Sequence, residues 1–338
     1  MHERHIHSSL TRISDLETRS YEIDPRVRTD WATGDYVAGE VVDTSGHREI
    51  ELPSGRNMEV AAGDVIVGAL GERQATLELT GSWTEIGDNR VVHALTRAGL
   101  FGRQTSRSTL VAPPLSLQYQ GHVVRNGRTV AMGDFVPDSP DRTFDVPTVL
   151  LVGTSMSAGK TTAGRIVTRR LTGMGCEVLG AKLSGAGRYR DVLSLRDAGA
   201  SWIFDFVDAG LPSTIGPTAA FRDSLHGLLA RMAEPEADIA VIEVGASPLE
   251  PYNGDVVIEA LQDAVHLTIL CASDPYAVLG VQKAFSTLAP DLVTGIATNT
   301  DAGIALLDQL TTLPAFNIRD AATHGRLDAL LRDRLSLS

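Results

Sequence analysis

The chain has 338 residues, more than twice the roughly 150 of a typical domain, so two domains are expected and a single small module is excluded. Apolar residues make up 43%, charged residues 21% and aromatics only 5%, a globular composition whose core must be mainly aliphatic. A net charge of −12 removes any global attraction to nucleic acid or anionic lipid, so neither is an expected partner.

No apolar run reaches the 18 or more residues that would span a bilayer, and Met1–Ser9 is a polar, histidine-studded start without a secretory core. A cytoplasmic protein with no membrane partner is expected. Cys176 and Cys271 are too few for a disulfide framework or a four-ligand zinc site, and each lies in an apolar stretch that reads as packing. His2, His5 and His7 read as a mobile terminus, and the nine histidines show no metal-ligand spacing.

Residues 1–30 form an N-terminal extension whose one candidate element is a helix near Leu10–Leu16. Residues 31–140 follow as short apolar segments broken by Gly, Asp, Asn and Pro, the pattern of a small antiparallel sheet or barrel. Expected strands are Asp35–Val42, Glu49–Leu52, Met58–Leu70 and Ala75–Thr80, with a helix or loop over Thr96–Thr105. The clearest feature is a hairpin pairing Leu117–Val124 with Thr129–Val136 through Asn126-Gly127, two residues that tolerate positive φ. Pro137-Asp138-Ser139-Pro140-Asp141 has linker composition.

From residue 146 to 338 apolar strand runs alternate with helical periodicity, which requires a mainly parallel sheet covered by helices. Expected strands are Thr148–Val152, Glu177–Ala181, Trp202–Phe206, Ile239–Val244, Val265–Cys271 and Leu292–Ala297. The fold class is therefore α/β: a P-loop NTPase domain preceded by a β-rich domain.

The strongest signal lies between the first of these strands and the helix that starts at Lys160. Gly153-Thr154-Ser155-Met156-Ser157-Ala158-Gly159-Lys160-Thr161-Thr162 places a glycine-bearing turn between strand and helix. Such a turn aims backbone N–H groups and the helix dipole at phosphate, Lys160 can reach the outer phosphates, and the Thr161 hydroxyl suits Mg²⁺. Glu243, near the carboxyl end of its strand, is positioned to hold the same metal, because a carboxylate on a buried strand is costly unless paired or coordinated. Asp191 and Asp205 compete for the second acidic role. Lys182, Ser184, Arg188 and Arg190 surround a glycine turn after the second strand and are candidates, with Ser247, for an anionic substrate. Asn299, in Asn299-Thr300-Asp301, is a candidate for reading the nucleotide base, although the same run serves as a helix start.

The first glycine stands seven residues before Lys160, one more than the usual six, and Thr154 takes the usual place. In this the loop resembles the Gly-Thr-x-x-x-x-Gly-Lys-Thr loop of dethiobiotin synthetase and its relatives in the SIMIBI group of P-loop proteins. The MinD-like branch carries a further lysine where this chain has Ser155, which disfavours a switch ATPase of that branch. The dethiobiotin synthetase resemblance implies that Lys182 faces substrate and phosphate and that Asp191 helps bind Mg²⁺. A second resemblance covers about 145–318. The order of Gly153–Thr162, Asp205–Gly210, Glu243–Leu249 and Leu270–Pro275 is similar to the P-loop domain of the D-glutamate N-acetyltransferase-like family. That family has a Rossmann-like first domain where this chain reads as β-structure. It also has Asp in place of Ser155 and a His-Pro pair where this chain has Glu250-Pro251.

The expected function is thus an ATP- and Mg²⁺-dependent P-loop enzyme, a kinase or ligase, activating or phosphorylating a small carboxylate-bearing metabolite and assembled as a homo-oligomer. Two alternatives remain open at this stage. One is an N-acetyltransferase of an acidic amino acid holding the phosphates of acetyl-CoA in the loop. The other is a nucleotide-gated binding module.

Overall fold

The computed structural model describes residues 5–245 and 247–337. The chain divides into two compact units. Unit 1 comprises Met1–Asp138 together with Ala186–Arg190 and Phe206–Ile215. Unit 2 comprises Ser139–Gly185, Asp191–Asp205 and Gly216–Ser338.

Among the described residues unit 1 carries twelve strands: β1 His5–His7, β2 Glu22–Asp24, β3 Tyr36–Asp43, β4 Glu49–Glu51, β5 Asn57–Glu59, β6 Val65–Leu70, β7 Glu72–Gln74, β8 Leu79–Ser82, β9 Val91–Ala94, β10 Leu100–Arg107, β11 Ser116–Arg125 and β12 Arg128–Thr129. Within the main sheet β6, β3, β11, β9 and β10 are successive neighbours. The parallel pairing of β10 with β6, Leu100 opposite Ala69 and Phe101 opposite Leu70, closes them into a five-stranded ring. Alternation along the strands feeds two apolar clusters. Val37, Ile66, Leu70, Phe101 and Leu117 lie in one. Tyr36, Ala38, Val67, Ala69 and Leu100 lie in the other, joined there by Phe206 and Val207.

Several local expectations change in unit 1. The segment Thr96–Thr105 contributes strand β10 rather than a helix or loop, because Leu100 and Phe101 complete the ring. The Asn126-Gly127 hairpin is present, with both residues at positive φ. Its second strand stops at Thr129, however, as Ala131 bridges to Asp35 and Met132–Phe135 turns as a 3₁₀ helix. His5 and His7 are not terminal tail but strand β1, while His2 lies outside the described residues. Near Leu10 only a 3₁₀ turn forms, Ser9–Thr11.

Unit 2 is built on six parallel strands: β13 Thr148–Gly153, β14 Val178–Ser184, β15 Trp202–Asp205, β16 Ile239–Val244, β17 Val265–Ala272 and β18 Leu292–Gly295. Their order across the sheet is β15, β14, β16, β13, β17, β18, so β13 is central and β16 is its immediate neighbour. Seven helices complete the described chain: α1 Lys160–Gly173, α2 Tyr189–Asp197, α3 Thr218–Met232, α4 Gly254–Ala260, α5 Pro275–Ala284, α6 Asp301–Leu310 and α7 His324–Leu335. Both faces of the sheet are covered. Ala163, Val167 and Leu171 of α1, spaced at four residues, share a cluster with Val149, Leu151, Val241 and Ile269 and with Leu327 and Leu331 of α7. On the opposite face α4 begins against Val244. Full burial of each such aliphatic side chain contributes about 1.5–3 kcal/mol relative to exposure, which makes this cluster the main support of the sheet. Among the described residues no helix is long and apolar enough to cross a membrane.

Candidate functional site

Strand β13 ends at Gly153, and the loop to Lys160 lies at the carboxyl end of the central strand. A Cβ on Gly153 would stand 2.5 Å from Lys160 Nζ and 2.9 Å from its Cδ, so glycine is what lets the lysine fold back over the start of the loop. Lys160 Nζ donates to the Ser155 carbonyl at 3.0 Å, closing the loop mouth. Burial lowers the affinity of this ammonium for its proton, and nearby Glu243 and Cys271 oppose that effect. Ser157 and Gly159 both adopt positive φ, which turns the loop into α1.

The register of the sheet brings the acids to the same place. Leu151 of β13 stands opposite Glu243 of β16, and the Thr161 hydroxyl donates to Glu243 Oε2 at 3.0 Å. Two oxygen donors of the kind Mg²⁺ prefers therefore already adjoin each other beside the lysine, and these residues fit a metal held jointly with phosphate oxygens. Asp191 forms an ion pair with Lys182. Lys182 sits within β14 rather than after it, opposite Glu243 on one side and Asp205 of β15 on the other. Burial pulls its proton affinity down, but Asp191, Glu243 and Asp205 outweigh that and hold the ammonium above the ordinary lysine range.

Other candidates take different places. The Thr154 hydroxyl is occupied by the β17 terminus, accepting from the Ser273 N–H at 3.0 Å, while its own N–H donates to the Cys271 carbonyl. Ser184 is the last residue of β14, not part of a turn, and its buried hydroxyl donates to the Gly245 carbonyl at 2.6 Å. Ser247 is buried and its hydroxyl accepts from the Leu249 N–H. Ala158 is buried in the loop, whereas Thr162 and Asn299 are exposed. Arg188 and Arg190 group with unit 1, where the N–H groups of Tyr189 and Arg190 donate to the buried Glu51 carboxylate.

Three participants escape a reading by motif. Cys271 ends beside Gly153 in register, and burial pushes its thiol up to about 12. Glu250 contributes negative potential at Lys160. Gly295, at the end of β18, holds φ 96° and ψ −153° while its Cα faces the loop, where a Cβ would lie 2.4 Å from the Ala158 carbonyl oxygen. A glycine that interrupts an apolar strand run was the signal available for the last of these.

A glycine-bearing loop between the central strand of a parallel sheet and the helix that follows defines unit 2 as a P-loop NTPase-type α/β fold. No family model matches the chain, and no curated protein does. Among solved structures it is similar to chloroplast FtsY from Physcomitrella patens, with 16% identity and a TM-score of 0.34 over 53% of this chain and 59% of that one. The hydrogenase maturation factor HypB from Archaeoglobus fulgidus shows 13% identity and a TM-score of 0.38 over 56% of this chain and 91% of that one. FlhF complexed with GTP and Mg²⁺ shows 13% and 0.32 over 55% and 70%.

Proposed function

We propose that unit 2 binds a nucleoside triphosphate, ATP foremost, together with Mg²⁺, and uses it to activate or phosphorylate a small carboxylate-bearing metabolite. The observation that carries this reading is the hydrogen bond from Thr161 to Glu243 beside the buried Lys160. Such a set of hard oxygen donors has a use where a metal meets phosphate and none in simple anion binding. Mg²⁺, when bound, would neutralise charge on the outer phosphates. Lys160 would exchange the Ser155 carbonyl for phosphate oxygen, and its buried position strengthens that contact, since water is excluded. Lys182 offers a second cation at the carboxyl ends of β14 and β16, held in place by Asp191. A substrate carboxylate that displaced Asp191 would find that cation already desolvated. The protein is further proposed to act as a homo-oligomer.

The test is thermal stabilisation by ATP, GTP and acetyl-CoA with Mg²⁺ or chelator, read beside ADP release over a panel of small carboxylates. Stabilisation by a triphosphate that chelator weakens is the expected result. Stabilisation by acetyl-CoA alone, indifferent to chelator, would overturn the reading.

A further inference from the structure

A second candidate site lies wholly within unit 1. Strand β1 pairs in parallel with β6, and its alternation sends Ile6 into the core and both His5 and His7 to the other face. The Tyr21 hydroxyl lies between the two imidazoles, 2.8 Å from His5 Nδ1 and 2.9 Å from His7 Nε2. A phenol has one proton, so at most one ring nitrogen accepts from it and the other must donate to it, which couples the tautomers of the pair. Burial pushes the Tyr21 phenol up to about 12 against the pull of Arg125, and burial followed by His5 lowers His7, so the phenol and the His7 ring are neutral at pH 7.

This array borders a cleft of about 420 Å³ lined by His5, His7, Glu17, Leu52, Arg56 and Met58, among others. The volume is that of a small-molecule site. Its walls are apolar at Leu52 and Met58, and its charges are one guanidinium and one carboxylate. Neither the Arg56 nor the Glu17 side chain forms an ion pair or hydrogen bond with another described residue, although both border the same cleft. A guanidinium and a carboxylate that border one cleft without pairing to each other are complementary to a molecule that carries both signs itself.

We propose that this cleft binds a small zwitterion, an α-amino acid with an apolar side chain, whose carboxylate meets Arg56, whose ammonium meets Glu17 and whose side chain lies on Leu52 and Met58. His5 and His7, both bonded to Tyr21, supply part of its polar wall. A simple anion would leave Glu17 opposed, and a simple cation would leave Arg56 opposed.

The experiment uses the full chain with isotope-labelled histidines, titrated with leucine, methionine and phenylalanine up to their solubility and followed by calorimetry and by the His7 ring signals. Leucine is compared with leucinamide, which lacks the carboxylate, and with 4-methylpentanoate, which lacks the ammonium. The expected result is binding that moves the His7 signals, weakened about tenfold or more for each truncated analogue, as charge-assisted contacts are lost. Arg56→Gln should bring leucine and leucinamide together, and Glu17→Gln should bring leucine and 4-methylpentanoate together. Both residues are exposed, so both variants should fold. Silence of the His7 signals with all three amino acids would overturn the proposal. So would equal affinity for the analogues, or a preference unchanged in both variants.

Discussion

Gly295→Ala should damage unit 2 and its nucleotide site together. The residue sits at φ 96° and ψ −153°, a region only glycine occupies without strain, and forcing another residue there costs about 1–3 kcal/mol. The new Cβ would also stand 2.4 Å from the Ala158 carbonyl oxygen and 3.0 Å from both N and O of Ala272. All three are backbone atoms, so no side chain can swing away, and overpacking of this kind costs a further 1–3 kcal/mol or about that. The sum, about 2–6 kcal/mol, is a large part of the roughly 5–15 kcal/mol that holds a domain folded. Relief by moving the Ala158 carbonyl would instead distort the phosphate loop. Urea unfolding and triphosphate binding, measured side by side, read the two routes. Gly280→Ala is the control: it lies inside α5 with nothing within 4 Å of the added methyl, so it should stabilise, by about 0.5–1 kcal/mol. If Gly295→Ala unfolds within about 0.5 kcal/mol of the wild type and binds nucleotide equally well, the reasoning from backbone and approach is wrong.

Lys160→Ala should abolish triphosphate binding with the fold intact by circular dichroism, because the ammonium donates to the loop's Ser155 carbonyl rather than packing in the apolar core. Glu243→Gln should move the Mg²⁺ dependence of turnover to higher concentration, checked by ADP release, while metal-free nucleotide affinity holds or improves as one negative charge is removed. Lys182→Met removes the cation shared by Asp191, Asp205 and Glu243 and should cost about 3–5 kcal/mol in urea unfolding at pH 7. His93 accepts from the Gln104 N–H and is pushed down to about 4, by burial first and by Arg103 second. The unfolded chain then takes up a proton below about 6.5 that the folded one refuses, so stability should fall from pH 6.5 towards 4, and this slope should flatten in His93→Gln.

The strand, loop and helix around Lys160 were legible because their signal is local: glycine, lysine and threonine fall within ten consecutive residues that one strand and one helix bracket. The parallel sheet was legible through its alternation of strand and helix patterns. Strand ends were harder. Ile296 and Ala297 look apolar enough to extend β18, and only the backbone of Gly295 stops it. Lys182 and Ser184 look like turn residues, yet β14 carries them inside the sheet because the acids on β15 and β16 and the Gly245 carbonyl supply their partners. The grouping of Ala186–Arg190 and Phe206–Ile215 with unit 1 was invisible, since contacts distant in sequence leave no periodicity behind. Glu51 shows the same difficulty. On a short hairpin strand it resembles a solvated charge, but it is buried and accepts from Ser9, Tyr189 and Arg190.

The place of Phe206 and Val207 in the apolar cluster of unit 1 has a bearing on how the chain is born. A ribosome delivers all twelve strands of that unit well before those two side chains emerge, so the nascent ring carries an apolar face with part of its cover still unsynthesised. Its maturation is timed by translation past residue 215 rather than by the end of its own strands. A stalled or truncated product of residues 1–138 would leave the cluster of Leu10, Tyr36, Leu100 and Met132 without Phe206 and Val207, an apolar surface less completely covered and suited to chaperones and to aggregation alike.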